Sequence, residues 1–325
     1  MSKALLIDTS KCMGCRGCQV SCKQWWELPA VSTTNEGSYE NPPNLSAETW
    51  NKIKFKEISS NGTVKWIYTR QACMHCTAAV CVKVCPTYAR GYDDLGYVTV
   101  DQERCIGCGR CVIYCPFQVP QIGGHDISPR IKVEIATPRA VTYNCNFCID
   151  RVEDGLTTAC AKTCPPGAIL FGDRNDLVEQ GRARVNELKS TYPQAYLYGE
   201  NELGGLHSMY ILTEDISVYG LPENPTVGTY PDFDQADIPA WYTQAIADGK
   251  IPAFPWGARP EWYIQEPPAS ALRGPQGPQG EPGEAGGWGQ ALGWGGVGAV
   301  VGVVAVALSW IIGRRMGQES KQAGK

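Results

Sequence analysis

Histidine is scarce in this chain. Three occur in 325 residues, His75, His125 and His207, and none lies at metal-ligand spacing from another. A histidine-built metal centre is therefore not indicated. Charge of one sign is lacking too: 29 Lys and Arg against 33 Asp and Glu leave a net −4. That balance carries no bias toward nucleic acid. No phosphate-binding loop, nucleophile–base pair or open metal site is visible, so the chain offers no catalytic site of its own. Met1–Asp8 has only a short apolar run and no small-residue cleavage site before Cys12, so no signal peptide is read there. At 43% hydrophobic residues the chain is globular, with length for two or three domains.

What it has in excess is cysteine, 16 in all. Disulfide scaffolds of that density are normally much smaller, and the positions point elsewhere. All sixteen fall into quartets: Cys12, Cys15, Cys18, Cys22; Cys73, Cys76, Cys81, Cys85; Cys105, Cys108, Cys111, Cys115; Cys145, Cys148, Cys160, Cys164. The third quartet, with Pro116, reads C-x2-C-x2-C-x3-C-P, the run that holds [4Fe–4S] clusters. Gly107 and Gly109 let its backbone take positive φ and turn amides toward an anionic cluster. The first quartet repeats the pattern down to the preceding strand, Asp and base: Asp8-Thr-Ser-Lys-Cys12 against Asp101-Gln-Glu-Arg-Cys105. Such repetition marks duplicated ferredoxin units. One departure is Cys22, followed by Lys23 rather than proline. The second quartet widens its second gap to four residues, a spacing that also suits a [3Fe–4S] cluster, although all four cysteines are present. The fourth splits into two pairs, which alone would suit zinc. Four quartets imply four [4Fe–4S] clusters. His75, inside the second quartet, is expected as a hydrogen-bonding neighbour, not a ligand. Trp25 and Trp26 are expected to pack in a core or interface.

In such runs three cysteines serve one cluster and the fourth reaches a second. Only 19 residues separate Cys85 from Cys105, so quartets two and three pair, leaving one and four to pair around them. The expected ligands are Cys12, Cys15, Cys18 and Cys164 for cluster 1. Cluster 2 takes Cys73, Cys76, Cys81 and Cys115. Cluster 3 takes Cys105, Cys108, Cys111 and Cys85. Cluster 4 takes Cys145, Cys148, Cys160 and Cys22. The same cysteines are the metal ligands, through iron. A row of clusters moves single electrons, so the chain reads as a wire whose end chemistry belongs to partners.

Between the quartets, Lys52–Ile58 and Val64–Thr69 form a predicted hairpin across Ser60-Asn61-Gly62, and a second is expected around Asp93–Gly96. Ala4–Ile7, Tyr97–Val100, the run ending at Phe171, and Tyr210–Thr213 read as strands, and Asp176–Ser190 as a helix. The fold class is α+β: two ferredoxin-like double-cluster modules, the second inserted in the first, then an extended C-terminal arm and one transmembrane helix. Residues 1–72 and 116–220 make the outer module and 73–115 the central one. Residues 221–290 make a Pro/Gly-rich arm and tether, without periodicity, expected to lie on another subunit. From Ala291 to Ile312 no charge occurs, about 33 Å of helix, enough to cross a bilayer core. Gly295, Gly298 and Gly302 share one face, suited to packing on an integral partner. Arg314, Arg315, Lys321 and Lys325 follow it, which puts the tail 313–325 in the cytoplasm and the clusters on the extracytoplasmic side of the inner membrane. Clusters form where iron and reduced thiols exist, so export of the folded protein, with the signal on a partner, is expected.

These quartets resemble those of the four-cluster iron–sulfur subunits of molybdopterin oxidoreductases. Leu45-Ser-Ala-Glu-Thr-Trp50, Cys73-Met-His-Cys76, Cys105-Ile-Gly-Cys108-Gly, Cys160-Ala-Lys-Thr-Cys164-Pro and Gly220-Leu-Pro-Glu-Asn-Pro225 are similar to the β subunit of membrane-bound formate dehydrogenases. The likeness runs to about residue 226; the arm and tether match poorly. It implies a catalytic subunit with molybdenum or tungsten bis-pterin and a membrane cytochrome b, carrying haem, that passes electrons to quinone. It also implies the cluster pairing above. The same wire would serve a polysulfide, thiosulfate or dimethyl sulfoxide reductase or a quinone-linked hydrogenase. From another class, a zinc-stabilised membrane-tethered scaffold is the alternative.

Overall fold

The computed structural model describes residues 2–60, 62–124, 127–131, 139–230, 232 and 238–250. They belong to the first of two units, Met1–Gly280. His125, the tether, the 291–312 segment with its glycine face, and the basic tail lie outside the described residues. Among the described residues no helix is long and apolar enough to cross a membrane.

The elements in chain order begin with β1 (Lys3–Asp8), α1 (Gly17–Trp26), β2 (Lys52–Ser60), β3 (Thr63–Gln71) and α2 (Val80–Lys83). Next come β4 (Arg90–Tyr92), β5 (Val98–Val100), α3 (Arg110–Tyr114), β6 (Gln121–Gly123), β7 (Val141–Tyr143) and α4 (Ile149–Glu153). The series closes with α5 (Ala159–Lys162), β8 (Ile169–Asp173), α6 (Arg174–Leu188), β9 (Tyr196–Tyr198), β10 (Ser208–Leu212) and α7 (Ala240–Ala247).

One sheet runs β8-β1-β10-β9, with β1 antiparallel to β8 and parallel to β10. Strand β1 is an unbroken apolar run because both its faces are covered. Ala4 and Leu6 meet Leu177, Val178, Val185 and Leu188 of α6. Leu5 and Ile7 turn into the larger core that holds the cysteines. Each of those α6 side chains contributes about 1.5–3 kcal/mol by leaving water. The three remaining sheets are hairpin-like pairs, β2–β3, β4–β5 and β6–β7. In β2–β3, Ser60 pairs with Thr63, in keeping with the hairpin expected there. Trp26 is buried against Trp50, and Trp25 stacks with Arg130 and Arg151, the packing roles expected of both.

The arm differs from expectation. Within the stretch read as unperiodic, Ala240–Ala247 forms a helix. Pro239 caps it, a position where proline costs no hydrogen bond, and recurrent prolines hid its short apolar period. Tyr242 and Ala245 pack on Ile106 of the same chain, between Cys105 and Cys108, and Tyr242 Oη donates to the Thr87 carbonyl.

Candidate metal centre

The four quartets share one local design. The second residue after each first cysteine is left-handed: Gly14 (φ 67), His75 (φ 48), Gly107 (φ 70) and Phe147 (φ 62). This turn swings the next amides inward. The N–H groups of Gly14, His75 and Phe147 donate to the sulfurs of Cys12, Cys73 and Cys145. Each third cysteine then lies on a short helix: Cys18 on α1, Cys81 on α2, Cys111 on α3, Cys160 on α5. Three of those helices stop before the fourth cysteine, because a residue preceding proline is disfavoured in the helical region. After those three, Tyr88, Gln118 and Gly167 are again left-handed. Cys22 has no proline behind it, and α1 runs on through it to Trp26. The Cys22-Lys23 departure thus has a structural counterpart: this ligand is carried by a continuous helix.

The structure brings the quartets together across their runs. One hollow is lined by Cys12, Cys15, Cys18 and Cys164, with Arg70 and Ile169. A second is lined by Cys105, Cys108, Cys111 and Cys85, with Arg90 and Thr142. Electrostatic neighbours report the other two groups. Burial pushes the Cys22 thiol well up, and Cys145, Cys148 and Cys160 push it further. Burial likewise raises Cys76, with Cys73, Cys115 and Cys81 adding to it. Burial drives the effect throughout; backbone amides oppose it, most numerously at Cys115, where Val119, Phe117 and Gln118 donate.

Buried sulfurs that meet amide donors suit an anionic thiolate–metal group. Among the described residues no three His, Cys, Asp or Glu side chains meet at the spacing of a single metal ion. Tetrahedral zinc, with bonds of about 2.3 Å, would hold its sulfurs about 3.8 Å apart. The more open quartets fit a four-iron cube. His75 is buried and neutral: burial holds it well below its ordinary value, and its Nδ1 accepts from the Val98 N–H at 3.1 Å, as expected for a neighbour that is not a ligand. His207 donates from Nδ1 to the Lys3 carbonyl.

Two site residues escaped the sequence reading. Arg70 and Arg90 are 3% and 1% exposed and lie among the cysteines. Arg70 directs Nη2 at Cys145 Sγ (3.9 Å), and Arg90 donates to Asn144 Oδ1 (2.8 Å) and Thr142 Oγ1 (3.1 Å). Neither stands in a cysteine run; the available signal was one arginine near the end of β3 and one opening β4.

Family models described as "4Fe-4S dicluster domain" match residues 64–174 and residues 11–89. Two such domains and sixteen cysteines account for four [4Fe–4S] clusters. The chain is 38% identical over 234 residues to the formate dehydrogenase-O iron–sulfur subunit of Escherichia coli K12, covering 69% of this chain and 72% of that one. It is 32% identical to the β subunit of formate dehydrogenase 2 (cytochrome c-553) of Nitratidesulfovibrio vulgaris, covering 67% and 97%. It is also 32% identical to a putative dimethyl sulfoxide reductase iron–sulfur subunit of Halobacterium salinarum, covering 59% and 77%. With its quartets, their shared turn geometry and these relatives, the chain belongs to the iron–sulfur subunits of formate dehydrogenases.

Proposed function

We propose that this chain conducts electrons between a molybdenum- or tungsten-pterin formate dehydrogenase subunit and a membrane cytochrome b that feeds quinone. When bound, the clusters supply reversible one-electron transfer; the chain fixes their sequence and exposure. The proposed ligands are the crossed sets: Cys12, Cys15, Cys18, Cys164; Cys73, Cys76, Cys81, Cys115; Cys105, Cys108, Cys111, Cys85; and Cys145, Cys148, Cys160, Cys22. The lined hollows and the neighbours of Cys22 and Cys76 support them.

Contacts between sets give the order. Burial lifts Cys18 to about 12 with Arg70 opposing and Cys160 adding, so the Cys12 set adjoins the Cys145 set. Cys73 is affected by Cys145, and Cys81 by Cys111. The wire therefore runs from cluster 1 through 4 and 2 to 3. One observation carries the reading. The two exposed cysteines, Cys15 and Cys108, belong to the two end sets, while all four of cluster 4 are buried. Exposed apolar side chains occur near both exposed cysteines: Met13 (60% exposed) lines the first hollow, and Ile122 (44%) lies by Gly109 next to Cys108. These are surfaces suited to partner subunits.

Helix α7, the last described helix, packs on Ile106 of the third quartet. For 291–312 the reading is a single anchor packing through Gly295, Gly298 and Gly302, with the basic tail cytoplasmic and the clusters extracytoplasmic. The outer and central modules remain as bounded above. A second reading keeps the wire and changes the catalyst, favoured by the match to a dimethyl sulfoxide reductase subunit.

The test is purification of the whole complex, with identification of the large subunit, iron and sulfide counts, and absorption before and after formate. At least sixteen non-haem irons per chain with formate-dependent bleaching are expected of four four-iron clusters. Bleaching by dithionite but not formate, with a different large subunit, moves the assignment to the second reading. Absence of iron and sulfide removes both.

A further inference from the structure

Burying a guanidinium without a counter-ion is costly, yet Arg70 and Arg90 are 3% and 1% exposed. Among the described residues neither Arg70 nor Arg90 pairs with a carboxylate. Nε and Nη1 of Arg70, and Nε of Arg90, have no hydrogen-bond partner. The groups that face them are mostly sulfurs. Around Arg70 the strongest electrostatic neighbours are Cys160, Tyr210, Cys145 and Cys18; around Arg90 they are Cys111, Cys81, Cys85 and Cys73. Arg70 also lines the Cys12 hollow while pointing at Cys145. Arg90 lines the Cys105 hollow, and its partner Thr142 sits 3.7 Å from Cys105 Sγ.

We propose that Arg70 and Arg90 are positioning charges of the wire, each the shared counter-ion of two adjacent clusters: Arg70 of clusters 1 and 4, Arg90 of clusters 2 and 3. This rests on the crossed ligand sets proposed above. A cluster with four thiolates is anionic and gains one more negative charge with each electron. A fixed cation in a low-dielectric interior stabilises the reduced form more than the oxidised one, so it raises the reduction potential. Sharing adds a second effect: one charge serves either member of a pair, and so reduction of one cluster weakens the pull on its neighbour. The chain thereby holds two electrostatically linked pairs rather than four independent sites.

The experiment is a redox titration of the complete complex, followed by electron paramagnetic resonance with iron counted in each sample. Arg70→Met and Arg90→Met are compared with Arg70→Lys and Arg90→Lys. Arg70→Met is expected to lower two cluster potentials by at least tenfold in the reduction equilibrium, 59 mV for one electron, leaving the other two in place. Arg90→Met is expected to lower the complementary two. Lysine, which keeps the charge, is expected to hold all four within threefold. Full iron with unmoved potentials overturns the proposal, as does a uniform shift of all four. If a methionine variant loses iron, its lysine counterpart decides. Retained clusters at parental potentials support a charge requirement; iron loss or an equal shift in the lysine variant overturns it. Low iron in the parent complex would instead indict the ligand assignment on which the proposal stands.

Discussion

The crossing of ligands between runs makes a demand that neighbouring-sequence ligation does not. Cys85 sits in the second run but lines the hollow of Cys105, Cys108 and Cys111. Cys115 sits in the third run but neighbours Cys73 and Cys76. Replacing cysteine by alanine removes one sulfur from a mostly apolar wall, a small packing change beside the loss of an iron ligand. Losing one cluster of four removes about one quarter of this chain's non-haem iron. Cys85→Ala and Cys108→Ala are therefore each expected to lose that quarter and the same paramagnetic signal. The double variant is expected to lose no more than either single one. Cys85→Ala combined with Cys76→Ala is expected to lose about one half, because the proposed sets place the two residues in different clusters. Iron analysis and spectra of the reduced complex read these four variants and Cys76→Ala alone. The reasoning fails if Cys85→Ala extinguishes the signal that Cys76→Ala extinguishes.

Three further outcomes follow from local geometry. Gly107→Ala places a Cβ 2.5 Å from the Ala140 carbonyl at φ +70, whereas Gly109→Ala meets only Ile122 Cδ1 at 3.4 Å at φ +76. Both incur about 1–2 kcal/mol of left-handed strain, so only Gly107→Ala is expected to deplete iron from the Cys105 cluster, and equal depletion would refute the difference. Burial raises the Asp93 carboxyl from 3.8 to about 6 against two backbone donors, Tyr97 and Leu95. Its neutral form then favours folding below about pH 4, and that contribution is lost as pH rises through about 6. Asp93→Asn is expected to gain stability relative to the parent between about pH 5 and 7 in denaturant titrations, and a constant gap would count against it. Phe147→Ala is expected to cost about 3–5 kcal/mol. Phe147→Gly should cost about 1 kcal/mol less, reversing the usual order because φ is positive there; melting of both variants shows the sign.

Much of this was readable because cysteine spacing and short apolar runs are local signals. Strands β1, β5, β8 and β10, helix α6 and both early hairpins lie within a few residues of their sequence expectation. The parallel pairing of β1 with β10 was not readable, since Leu5 and Ser208 are far apart in sequence and nothing local links them. Helix α7 was masked by its flanking prolines. Arg70 and Arg90 were invisible for another reason. Arginine is ordinarily exposed, and only the assembled structure shows thiols where a carboxylate would be expected.

The left-handed position after each first cysteine shows how one turn is filled according to its neighbours. In the first and third quartets the residue is glycine, because a Cβ at Gly14 would meet Tyr68 at 2.8 Å and one at Gly107 the Ala140 carbonyl. In the second and fourth it is His75 and Phe147, each carrying backbone strain of about 1–2 kcal/mol that glycine would avoid. Packing offsets that strain. Phe147 stacks on Tyr97 with ring centroids 4.0 Å apart, and His75 meets Phe147 edge-on at 4.9 Å. The two strained residues therefore touch each other, one from the second quartet and one from the fourth. They join the loops of the second and fourth quartets, which sequence alone assigned to separate modules. Strain at these two positions is thus tied to a contact that, on the proposed order of clusters, fixes the spacing of the middle step.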